Sequence, residues 1–135
     1  MDKLIRMLTH LAKVNGGHWE LGKNRLSIPV GAGGQRQEIR FERSEEEYFL
    51  TSIVMGSHEV TQNANAWREL AIVAWQRNAA HELVTFAFDS HERLVGQIRH
   101  PAAHLDLEEL ECYVNSLVLE CDRFRYLLTG KAAIS

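Results

Sequence analysis

The sequence predicts an α+β fold: one domain in the order α-β-β-β-α-β-β-α, with a mostly antiparallel five-stranded sheet and packed helices. Three observations predict it. Short alternating runs stand at hairpin spacing, which favours antiparallel pairing. Amphipathic helical patterns open and close the chain. A third helical pattern, rich in tryptophan and alanine, interrupts the strands.

Asp2 can cap the first helix, Leu4, Ile5, Leu8 and Leu11 form its stripe, and Asn15-Gly16-Gly17 stops it. In the first strand Leu26, Ile28 and Val30 alternate with Arg25, Ser27 and Pro29. The proline marks either an edge position or the end of that strand. Gly31-Ala32-Gly33-Gly34 reads as a flexible turn, and Ile39 and Phe41 alternate with charged neighbours in a half-exposed strand. After a charged turn at Glu45-Glu46-Glu47, the run from Tyr48 to Met55 reads as a central strand covered on both faces.

Gly56 ends that strand, and Asn63 or Asn65 caps a helix from Ala66 to about Ala79. Val84, Phe86 and Phe88 lead into a turn at Asp89-Ser90-His91-Glu92, and Leu94, Gly96 and Ile98 return as a hairpin. Pro101 is expected to keep the next linker out of the ladder. The last helix runs from Leu107 to about Leu128. Asp106 and Glu109 have capping-box spacing, and Leu107, Leu110, Tyr113, Val114, Leu117, Val118, Cys121, Phe124 and Leu128 recur on one face. The domain spans 1–131, and Ala132 to Ser135 read as a disordered tail.

Fifteen basic and eighteen acidic residues give a net charge of −3. Without a basic cluster to displace counterions, no nucleic-acid partner is expected. No apolar stretch approaches the roughly 20 residues that span a bilayer, so no membrane partner is expected either. The opening residues lack a signal-like apolar region. The expectation is a cytoplasmic protein. Cys112 and Cys121 are nine residues apart in one helix, on opposite sides and about 13 Å apart along the axis. That is too far for a disulfide within one chain.

Candidate chemistry is sparse. His100 and His104 have the spacing of a helical metal pair, but Pro101 places both in a loop and no glutamate completes a zinc motif. The glycine cluster has no helix behind it and no Lys-Ser/Thr pair, as a phosphate loop requires. Asp106, Glu108, Glu109 and Glu111 complement the helix dipole at its start, as Arg123, Arg125 and Lys131 do at its end. No nucleophile elbow occurs. No catalytic residue, metal or cofactor is expected. Trp67 and Trp75 lie near one helical face; they suit a helix packed on the sheet or, with Ala71 and Ala74, a self-association surface.

The segment Val84–Gly130 resembles the YbjN-type family through TFAFDSHERLVGQIRHP and LDLEELECYVNSLVLECDRFRYLLTG. Its final helix opens with an L-D-x-E-E-L-like phrase and continues through Glu120-Cys-Asp122-Arg-Phe124. The element order also resembles type III secretion chaperones that carry effectors. The resemblance implies a non-enzymatic protein that binds another polypeptide, commonly as a homodimer. On this reading binding would be by strand addition or in an apolar groove, with Leu26, Ile28 and Val30 as edge contacts and Trp67 and Trp75 as dimer contacts. The rival readings are a small-ligand binder or enzyme using His100, His104 or Cys112, and a structural subunit of a larger assembly.

Overall fold

A computed structural model describes residues 2–16, 18–30, 34–62, 67–80 and 83–129, the side chains of Trp67, Arg68, Leu70, Ala79 and Ala80 apart. Helix α1, Lys3–Val14, starts where the Asp2 carboxylate accepts the Leu4 N–H at 2.8 Å. Its stripe of Leu4, Leu8 and Leu11 is buried. Gly16 follows at φ +64°, a conformation that costs glycine little.

The strands are β1 (Glu20–Gly22), β2 (Arg25–Pro29), β3 (Arg36–Arg43), β4 (Glu47–Met55), β5 (Thr85–Phe88) and β6 (Leu94–Pro101). They form one six-stranded sheet in the order β1-β2-β3-β4-β6-β5, with every neighbouring pair antiparallel. The expected five strands are therefore corrected to six among the described residues. The added one, β1, has only three residues, too few to give a clear alternation. Asn24 at φ 57° turns the chain from β1 into β2.

Helix α4, Leu107–Thr129, carries the main load of packing. It lies with α1 over one face of the sheet, against β3, β4 and β6. Leu110, Val114, Leu117, Cys121 and Phe124 are fully buried against Leu26, Ile39, Phe41, Leu50, Val54 and Ile98. The alternation of the strands explains this, since every second residue faces α1 and α4. The expected capping box is present: Asp106 accepts the Glu109 N–H at 2.8 Å, and Glu109 accepts the Asp106 N–H at 3.3 Å.

The opposite face carries no helix among the described residues. Ser27, Glu38, Arg40, Thr51, Gln97 and Arg99 lie across it by register. Strand β4 is thus central but covered on one face only, which corrects the sequence reading. Phe49, Thr51 and Ile53 are half-buried on the open side. A shallow depression of about 540 Å³ sits there, bordered by Ser27, Arg36, Arg40, Thr51, His91 and Gln97.

Two further helices follow β4. Helix α2, Ser57–Gln62, was not expected; it has only Val60 buried and so leaves no stripe in the sequence. Helix α3, Trp67–Ala80, lies beside β5. With α1 and α4 this makes four helices among the described residues, against three expected. The Asn63 and Asn65 caps, the glycines at 31 and 33 and the tail 132–135 lie outside the described residues.

The expected hairpin pairs β5 with β6. Asp89 organises its turn by accepting the N–H groups of His91 and Arg93, each at 2.9 Å, and the Arg93 guanidinium at 2.7 Å. Burial alone would raise the Asp89 pKa, but those bonds outweigh it and hold the carboxyl below its ordinary value. Pro101 does join the ladder, opposite Glu47 at its end, so His100 lies in a strand and not in a loop. A single 3-10 turn, Ala102–His104, leads to α4.

Candidate partner-binding surfaces

A sheet offers a partner its edges first, because unpaired N–H and C=O groups stand there. The edges here are β1 and β5. The phase of β1 follows from its neighbours. The Phe41 N–H bonds to the Asn24 carbonyl at 3.1 Å and the Val30 N–H to the Gln35 carbonyl at 2.9 Å. Between them, Leu26 turns its backbone groups toward Ile39 of β3. Leu21, which stands opposite Leu26 on the other side, therefore points its N–H and C=O away from the sheet. Its side chain is half-buried at the margin of the core.

The expected edge residues are placed differently. Strand β2 lies between β1, which pairs Arg25–Ser27, and β3; Leu26 has a strand on each side, and Ile28 and Val30, beyond the β1 pairing, stand opposite Gln37 and Gln35 on the β3 side. Leu26 is 0% exposed and Ile28 4% exposed in the core, and Val30 is half-buried. Pro29 marks the end of β2, the second of its two sequence readings. The edge residue that sequence reasoning missed is Leu21. Its signal was faint: Trp19 and Leu21 alternate with His18 and Glu20 ahead of a Lys-Asn turn.

Trp75 is 70% exposed on α3, with Ile72 half exposed one turn away. The side chain of Trp67 lies outside the described residues. Exposed aromatic and aliphatic side chains at this spacing make a small apolar patch beside the β5 edge.

The histidines and cysteines do not converge. His100 directs Nε2 to Glu109 at 3.4 Å, shares Nδ1 with the Pro101 carbonyl at 2.8 Å and stacks at a tilt on Tyr113. Burial first, and the Glu109 carboxylate second, push the Tyr113 phenol above its ordinary pKa. His104 is exposed on the 3-10 turn. Cys112 is exposed beside Ser116, and Cys121 is buried on the opposite side of α4. No group of three His, Cys, Asp or Glu able to hold a metal stands among the described residues. Among them, too, no helix is long and apolar enough to cross a membrane.

No family model matches the chain, and no curated protein matches it. Solved structures do. A chain of the ExsC–ExsE complex is 20% identical over 100% of both chains, with a TM-score of 0.58. A chain of the HopA1–SchA chaperone–effector complex is 8% identical, covers 90% of this chain and 92% of that one, and gives a TM-score of 0.60. A chain of the heterodimeric ExoU–SpcU complex, from the type III secretion system of Pseudomonas aeruginosa, is 18% identical over 91% and 98%, with a TM-score of 0.58. The chain thus has a type III secretion chaperone-like fold, matched along nearly its whole length.

Proposed function

We propose that this protein is a non-enzymatic, chaperone-like binding module that takes an extended segment of another polypeptide and works as a cytoplasmic homodimer. One observation carries the reading: the whole-length fold is shared with chains solved in complex with protein partners. The open β1 edge supplies a physical means. A segment laid beside Leu21 would gain main-chain hydrogen bonds, while α1 and the sheet margin flank its side chains. The apolar patch at Ile72 and Trp75 suits a second copy, since aromatic residues concentrate in interface cores. The alternative histidine and cysteine pocket has no support in the geometry, because the described contacts of His100 and Cys112 run to other residues.

Light scattering on a sizing column tests the dimer: the expected mass is twice the 15.4 kDa of one chain. Trp75→Glu should return it to a monomer. A strict monomer at high micromolar concentration removes the dimer. Affinity capture from the native extract tests the client: a transient partner that binds as an extended segment supports the chaperone reading. A partner held at constant stoichiometry favours a structural subunit.

A further inference from the structure

The two sheet edges are not equivalent, and Asn78 makes the difference. On β5, the Asp89 N–H pairs with the Arg93 carbonyl at 2.9 Å, which fixes the phase of the strand. By alternation Ala87 and Thr85 bond toward β6, and Phe86 turns its N–H and C=O outward. Both of those outward groups are taken by one side chain. The Asn78 carboxamide oxygen accepts the Phe86 N–H at 2.6 Å, and its amide nitrogen donates to the Phe86 carbonyl at 2.9 Å.

A carboxamide carries the same donor and acceptor as a peptide unit. Asn78 therefore occupies the place that one residue of an added strand would fill. It is held there by its neighbour in sequence. Arg77 lies over the rings of Phe86 and Phe124 and pairs with Glu120 at 3.3 Å, which fastens α3 to both β5 and α4. Helix α3 has almost no amphipathic stripe of its own, so these polar ties position it. Natural sheets blunt an edge in just this sense, by covering it.

We propose that Asn78 is a resident stand-in for a neighbouring strand: it closes the β5 edge and directs strand addition to β1. This rests on the strand-addition reading above for its role in partner choice, but the closure itself is tested without any client. The occupant of β5 once Asn78 is removed is the β5 edge of a second copy, because three of the four residues of Thr-Phe-Ala-Phe are apolar and a two-fold axis pairs the strand with itself antiparallel.

The test is amide hydrogen exchange by NMR on the full chain, joined to light scattering. In the wild type the Phe86 amide should exchange about as slowly as that of Ala87, while the outward Leu21 amide exchanges at least about tenfold faster. In Asn78→Ala the Phe86 amide should accelerate by about tenfold or more in dilute solution, with self-association above the wild-type level on concentration. A Phe86 amide that stays slow in the variant overturns the proposal, as does an opened amide with no added association. Should the variant fail to fold, the wild type decides: Phe86 exchanging as fast as Leu21 overturns it. A client shown to bind without strand addition would remove the functional reading and leave these amide results standing.

Discussion

Gly96 of β6 lies under Cys121 of α4 so closely that a Cβ on Gly96 would stand 2.5 Å from the Cys121 sulfur. The same Cβ would meet Phe86 at 3.1 Å and Val84 at 3.3 Å. The helix rests on the sheet at this point because no side chain intervenes. Gly96→Ala should destabilise the fold by about 1–3 kcal/mol, the usual cost of overpacking a core. Cys121→Ala removes the nearest atom, so the double variant should lose less than the sum of the single ones. Urea unfolding of all four proteins measures the coupling; strict additivity would mean that helix and strand separate freely there.

The two cysteines should differ sharply in reactivity. Cys112 is exposed, whereas burial pushes the Cys121 thiol up from 9.0 to about 12. In mildly alkaline buffer an aromatic disulfide reagent should titrate one thiol at once and the second only on unfolding. The pH dependence has a definite sign. Because the folded pKa lies above the unfolded one, the folded state keeps its proton after the unfolded state has lost it. The Cys121 contribution is therefore full below about pH 9 and declines as pH rises toward 12. A second thiol that reacts as fast as the first in the folded protein would refute the buried placement.

How much of this was legible in the sequence follows from how each residue earns its place. Leu117 and Phe41 recur at helical and strand periods, so burial leaves a periodic trace. Leu21 and Val60 sit in elements of three and six residues, too short for a period to show. Phe49, Thr51 and Ile53 are apolar or β-branched yet face the uncovered side, so the run around them read as doubly covered. Asn78 was invisible for another reason. Its function depends on a strand edge eight residues away, and no local pattern reports a carboxamide bonded to a backbone.

The stripe of α4 permits a paired test. Leu117 is 0% exposed, while Asn115 is exposed on the far side of the same helix. Leu117→Ala should cost about 2–5 kcal/mol through lost burial and a residual cavity. Asn115→Ala should change stability by no more than about 0.5 kcal/mol, as surface substitutions do. Chemical denaturation gives both values. Equal small effects would mean that this face does not carry the core.

Arg125 shows the last step from sequence to structure. Its place near the end of α4 suggested a surface charge complementing the helix dipole, yet it is only 7% exposed. Its guanidinium donates to the Val54 carbonyl at 3.1 Å and to the Glu59 carboxylate at 2.9 Å. Glu59 also accepts the Gly56 N–H at 3.3 Å, so one ion pair joins the end of α4 to the turn between β4 and α2. The two partners are not symmetric. The Glu59 side chain is partly solvated at 31% exposure, whereas that of Arg125 is only 9% exposed, so losing the counter-charge weighs more on the arginine. Arg125→Met keeps the apolar stem and removes the buried charge, so it should cost about 1–2 kcal/mol. Glu59→Ala leaves the guanidinium with a lost counter-charge and should cost more, about 2–4 kcal/mol. The double variant should be more stable than Glu59→Ala alone, because it also removes the buried cation that has lost its carboxylate. Thermal and urea unfolding rank the three; a double variant less stable than either single one would show that the pair is not what fastens the helix end to the sheet.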